Sequence, residues 1–312
     1  MKKLSASFLL IILLVCTCMQ AAFAEGLPMD KYTGGAEPKK ENYISESEYE
    51  DSSISVKLYT DRFADTTYNY AHVKISHPSQ LRTAPAGMVD SARATFKSQT
   101  TARGRLVAKA VNAVVALNGD YHTKTDKCQV VLRMGQQVRN KANGSMDLLV
   151  IDMQGNLSAL PKCTAKEYQA YYDANKDNMY QVFCFGPLLC QDGVSVIGED
   201  YVNREIGAQN STQRSAIAQI GPLEYLLITC EGPQSKGSKG MTIFEMAALC
   251  EQLGKKHSEA GCSIAFNLDG GNSSTLIFKG LNEKKNFTYV KYNCPDIERF
   301  LSDIIYFATL EE

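Results

Sequence analysis

Two short segments each set an amide and a carboxylate two residues apart: Asn118-Gly119-Asp120 and Asn267-Leu268-Asp269-Gly270-Gly271. Side chains at i and i+2 leave the same face of an extended strand, so each pair is able to point into one cavity. An Asx turn, in which Asn and Asp merely bond the local backbone, is the plain structural alternative for each pair. Gly270 and Gly271 permit positive φ and close backbone approach, while Ser273 and Ser274 offer hydroxyls and amides to an oxyanion; an ordinary β-turn also explains them. Arg214 opens an apolar strand with a planar fork suited to phosphate or carboxylate, or stands there as a solvated edge charge. Thr242 and Glu245 have the spacing of a helix capping box, which accounts for both without chemistry. His122 is either an acid/base group, a metal ligand or a polar loop residue. The chain has no GxSxG elbow, P-loop, HExxH helix or GxGxxG after a strand, and no zinc-type CxxC pair.

The elements that must hold these groups are mostly short strands. Ala113 to Leu117 is wholly apolar, as expected of a strand covered on both faces, and it delivers Asn118-Gly119-Asp120 at its end. Cys262 to Leu268 does the same for Asp269-Gly270-Gly271. Gln191-Asp192-Gly193 and Gly221-Pro222 mark hairpins. Helices are expected near Thr101 to Val111, from Thr164 to Lys176 behind its own capping box, and from Thr242 to Gly254, with Gly254 as the stop. The fold class is α+β: a mixed, largely antiparallel sheet with three or four helices in a single domain.

At the N-terminus, Lys2-Lys3, an apolar run from Phe8 to Val15 and Ala22-Phe23-Ala24 have the order of a secretory signal peptide cleaved after Ala24. The run is shorter than a membrane span, so no stable span is expected in the mature chain, which would be secreted or envelope-associated. Residues 25–52 are polar and read as a flexible linker, leaving 53–312 as the folded domain. Loss of Lys2 and Lys3 takes the formal net charge from −1 to −3, and nothing suggests a nucleic-acid partner. Eight of the ten cysteines lie beyond residue 24, from Cys128 to Cys294, and either pair in an oxidising compartment or pack as buried thiols.

NGDYH at 118–122, FGPLL at 185–189, QRSAIAQIG at 213–221, GMTIFEMAALCEQLG at 240–254, AFNLDGGNSSTL at 265–276 and ERFLSDIIYF at 298–307, in this order, resemble the phosphodiester glycosidase family from about Asn112 to the end. The resemblance implies functional roles for Asn118, Gly119, Asp120, Arg214, Thr242, Glu245, Asn267, Asp269, Gly270, Gly271 and Ser273. It implies hydrolysis of a sugar-1-phosphodiester, with Arg214 and the backbone of 270–273 on the phosphate, Asp269 and Asp120 doing the chemistry and Glu245 in reserve. No cofactor is required, and a divalent cation near Asp269 is compatible with it. Tyr121-His122 and Gly270-Gly271-Asn272 depart from the family's usual aromatic pair and glycine triplet, which bears on the substrate. Two other activities use the same residues: a non-catalytic module that binds phosphorylated glycans, and a phosphodiesterase cutting the other P–O bond.

Overall fold

The protein is described from a computed structural model covering residues 26–90, 94–125, 128–281, 287–292 and 298–312. The N-terminal residues read above as a signal peptide, and Cys294, lie outside the described residues. Numbering strands along the chain, the largest sheet runs β1 (Tyr43–Ser45), β2 (Glu48–Glu50), β3 (Ile54–Phe63), β4 (Thr66–Ile75), β16 (Glu224–Cys230), β15 (Arg214–Gly221), β17 (Ile264–Asn267), β13 (Leu188–Gln191), β14 (Val194–Ser195). A second sheet runs β11 (Leu157–Leu160), β10 (Asp147–Asp152), β12 (Met179–Phe185), β8 (Val130–Arg133), β9 (Gln136–Asn140). A third runs β19 (Phe287–Tyr292), β18 (Leu276–Leu281), β7 (Val115–Asn118), β21 (Asp303–Phe307), β5 (Leu81–Pro85), and β20 (Phe300–Leu301) pairs with β6 (Ala102–Arg103). The class is α+β as expected, but the sheet is divided, and every pairing among the described strands is antiparallel rather than mixed.

Strand alternation sorts the side chains of β15. Ala216 and Ala218 face the helix α3 (Ile243–His257), whose apolar stripe is Ile243, Met246, Ala247, Cys250 and Leu253. Ile217 faces the other way, into a core shared with Val115, Leu117, Leu149, Phe183 and Phe307. β7 lies between β18 and β21 and is buried on every residue, which is why its sequence is continuously apolar. The other helices are α1 (Gly104–Ala110), packed on β18 and β21, and α2 (Ala165–Asn175). Gly254 does not stop α3: the helix runs one turn further, because Gly254 is needed where the helix touches Cys262, whose backbone nitrogen would stand 2.5 Å from an added Cβ.

The polar N-terminal segment is not a tether. Its residues form β1 and β2 on the sheet edge, and Arg82, fully buried, donates to the carbonyls of Pro28 (3.0 Å) and Lys31 (2.6 Å). Besides these carbonyls, Tyr49 is fully buried in the core and Tyr43 and Leu27 pack against core clusters, so a few side chains within a polar stretch hold the contact. The seven described cysteines are buried free thiols.

Candidate active site

β7, β17 and β21 have ends close together, and these polar ends build one small pocket with a cavity volume of about 10 Å3. It is lined by Asn118, Gly119, Tyr121, Asp269, Ser273 and the run Phe300 to Asp303. Asn118 is the tie between the strand ends. Its Oδ1 accepts from the Ser215 hydroxyl (2.8 Å) and the Thr275 amide (3.0 Å), and its Nδ2 donates to the carbonyls of Asp269 (2.7 Å) and Gly119 (3.2 Å). All four hydrogen-bonding positions of the amide are occupied within the fold, so its side chain positions the site rather than grasping substrate.

Gly119 is the hub. Its amide donates to the Asp303 carbonyl and its own carbonyl accepts from the Asp269 amide, both at 3.3 Å. A Cβ on Gly119 would sit 2.5 Å from the carboxylate atoms of Asp303, so only glycine lets that carboxylate approach the chain. Beyond it, Tyr121 is held at φ +62, a conformation that non-glycine residues adopt at a cost and that concentrates at functional sites.

Behind the pocket lies a buried charge network that the motif reading missed. Asp120 accepts from Arg133 Nη2 (2.8 Å) and from the Cys184 amide (2.8 Å), and the same Nη2 lies 3.3 Å from Asp303 Oδ2. Arg133 also donates to the carbonyls of Leu132 and Val182, with its guanidinium 4.0 Å from the Phe183 ring centre. Burial alone would discharge Arg133; Asp120 and Asp303 reverse that and hold it protonated. Asp303 is held below the usual carboxylate range, since His122, Arg133 and the Ser302 hydroxyl outweigh its burial. His122 Nδ1 stands 3.7 Å from Asp303 Oδ1, beyond hydrogen-bond length, and neither ring nitrogen has a hydrogen-bond partner among the described residues.

Asp269 behaves differently. It stands partly open at the pocket, and burial pushes its pKa up to about 6 despite the Ser273 hydroxyl, Arg299 and the Gly270 amide. The pocket is thus bordered by one carboxylate kept ionised, Asp303, and one that titrates near neutrality, Asp269.

Several expected assignments change. Arg214 points away from the pocket, because alternation along β15 sends Ser215 towards Asn118 and Arg214 to the opposite face. Its guanidinium donates to the carbonyls of Met241, Ile206, Gly207 and Asn210 at 2.7–3.1 Å, and burial lowers its pKa to about 10. Thr242 and Glu245 form a reciprocal capping box at 2.8–3.1 Å with Lys239 on the free carboxylate oxygen (3.2 Å), and neither lines the pocket. Asn267 donates to the Gly186 carbonyl (2.7 Å), bracing the turn between β12 and β13. Both strands end at their asparagine, so the i, i+2 rule that placed Asn267 beside Asp269 and Asn118 beside Asp120 no longer governs the second residue. Gly270 is required, since a Cβ would lie 2.9 Å from the Gln213 carbonyl, and Gly271 takes φ +56. The amides of Gly271, Ser273 and Ser274 are bonded to Gln213, Gly270 and Gly271 carbonyls, so this turn presents no ready backbone cradle for phosphate.

Cations for an anion come instead from the rim. Lys124 Nζ and the Arg299 guanidinium lie 5.6 and 5.5 Å from the centre of the Tyr121 ring. Both are exposed, and Arg299 is close enough to Asp269 to lower its pKa. Among the described residues no three His, Cys, Asp or Glu side chains gather as a metal site. Asp303, Arg133 and Arg299 were missed because each was absorbed into a strand or strand-end pattern; the sequence signal was a charge at the margin of an apolar run, as in LSDIIYF and VVLRM.

The sequence profile of the phosphodiester glycosidases matches residues 111–308. The catalytic domain of zebrafish N-acetylglucosamine-1-phosphodiester alpha-N-acetylglucosaminidase, solved in a form auto-inhibited by its pro-peptide, superposes with a TM-score of 0.61 at 16% identity, covering 93% of this chain and 99% of that one. A hypothetical protein from Synechocystis follows at TM-score 0.49 and 15% identity, covering 81% of this chain and 62% of that one. A protein described as exported, from Burkholderia pseudomallei, has TM-score 0.47 and 13% identity, covering 78% of this chain and 74% of that one. A search of curated proteins finds no match.

Proposed function

This chain belongs to the phosphodiester glycosidase family, and from that premise we propose that it hydrolyses a sugar-1-phosphodiester to free sugar and a phosphomonoester. The observation that carries the reading is the pocket in which Asp269 and Asp303 meet across Gly119. Asp303, ionised at all working pH values, stabilises positive charge developing on the anomeric carbon. Asp269, with a pKa of about 6, is mostly ionised at neutral pH and close enough to it to act as an efficient general base on water. The water oxygen bonds to the anomeric carbon, the bond from that carbon to the phosphate oxygen breaks, and the water's proton passes through Asp269 to the departing phosphate. A phosphate monoester is a good leaving group, so this scheme needs no strong general acid and no cofactor. Arg299 and Lys124 take the phosphate role first assigned to Arg214.

The N-terminal residue order supports export and a substrate outside the cytoplasm or in the cell envelope; no helix of the described residues is long and apolar enough to cross a membrane. The test is incubation with a panel of sugar-1-phosphodiesters. Free sugar from the wild type, and at least about a hundredfold less from Asp269→Asn, supports the reading. Sugar-1-phosphate as product replaces it with phosphodiesterase chemistry, and binding without turnover across the panel replaces it with a glycan-binding module.

A further inference from the structure

β20 separates the catalytic pocket from a second, larger one. Phe300 and Leu301 line the first, while their pairing partner strand β6 contributes Arg103 to the second, a space of about 240 Å3. It is lined by Arg103, Arg105, Leu106, Lys109, Tyr289 and Glu298. Glu298 is bonded to Arg105 at 2.9 Å, so one cation is neutralised. Arg103 and Lys109 are exposed and form no ion pair among the described residues. Tyr289 also borders this space, with its hydroxyl sealed from solvent on the side of Glu37.

Cations seated on aromatic rings border both pockets. Lys124 and Arg299 flank Tyr121 at the catalytic mouth, and Arg103 lies 6.0 Å from the centre of the Phe300 ring, which is 56% exposed between the two pockets. The chain as a whole is slightly acidic, so this stripe is a local reversal of sign rather than a general property of the surface.

We infer that the second pocket is an anion subsite for the leaving group, and that the substrate is a linear phosphodiester polymer whose next phosphate lies against Arg103 and Lys109. This rests on the proposed hydrolysis for the word substrate, but the subsite itself does not. Two phosphates held at once make the second contact intramolecular, which raises affinity for an oligomer over a monomer.

The experiment is a binding titration with the Asp269→Asn protein, using a fluorescently labelled six-unit glycerol phosphate oligomer and, as its monomeric counterpart, labelled glycerol phosphate. The oligomer binds at least about tenfold more tightly at low salt, and the advantage shrinks as salt rises. Arg103→Gln combined with Lys109→Gln removes most of that advantage. Lys74→Gln combined with Lys166→Gln, the same charge change at exposed positions elsewhere, retains it. Equal loss in both double variants, or no preference for the oligomer, overturns the subsite. If the wild type cleaves no phosphodiester yet the preference and its loss persist, the hydrolytic reading falls and the subsite stands.

Discussion

At the scale of single residues, the site separates its carboxylates by environment. Asp303 is surrounded by Arg133, His122 and Ser302 and stays charged, whereas Asp269 is partly buried without an equal counter-charge and titrates at about 6. Activity is therefore expected to rise with pH through about 6 as Asp269 ionises, measured as kcat/KM across pH 4.5–8. A profile falling through that range would assign Asp269 as an acid. The same shift is a statement about stability. A carboxyl raised from 3.8 to about 6 by folding stabilises the fold fully below its unfolded pKa, and that contribution is lost as pH rises through the folded value. Asp269→Asn is thus expected to stabilise the protein by about 2 kcal/mol at pH 7.5 and not at all below pH 4, seen as a Tm gain that disappears on acidification. Arg133→Met leaves Asp120 and Asp303 buried without a counter-charge, and chemical denaturation should show a loss of about 3–5 kcal/mol. Asp120 and Asp269 were legible because each follows an apolar strand and an asparagine. Arg133 and Asp303 were not, because a buried pair formed across 170 positions leaves no local spacing to find.

At the scale of elements, the recurring fact is that strand ends, not strands, make the site. β7 and β17 stop at Asn118 and Asn267, so each aspartate lies just beyond its strand. Sequence alternation therefore located the two ends correctly but misjudged what each side chain faces. β15 shows the opposite case: alternation is intact, and it carries Arg214 away from the pocket while Ser215 reaches Asn118. The α3 capping box is wholly an element-scale feature. Thr242→Ala should cost about 1 kcal/mol in denaturant unfolding with kcat unchanged, since the lost contact is the helix's own first turn. A large fall in kcat for that variant at unchanged stability would return Thr242 to the site. Hairpins at Asp192-Gly193 and at Pro222-Leu223 were readable from turn chemistry, and Asp192, Gly193 and Leu223 have the positive φ that such turns require.

At the scale of the whole molecule, two antiparallel sheets bring polar strand ends near residues 119, 269 and 303 to one place, and the N-terminal segment closes over a different edge. The antiparallel α+β class followed from the hairpin signals, but the division into separate sheets did not, because pairing partners such as β7 and β21 are far apart in sequence. The docked segment was missed for a different reason: its polar composition hid a few scattered anchors, with Tyr49 in the core, Leu27 and Tyr43 packed against it, and Arg82 and Tyr306 on main-chain atoms of Pro28, Lys31 and Thr33. Deleting residues 26–42 should lower Tm by more than about 5 °C, whereas removal of a true linker would leave it unchanged. The central claim concerns which bond the assembled pocket breaks. The most direct measurement is turnover of a sugar-1-phosphodiester in water enriched in oxygen-18, with mass analysis of both products. The account predicts the label in the free sugar and none in the phosphomonoester; label in the phosphate would mean attack at phosphorus and would contradict it.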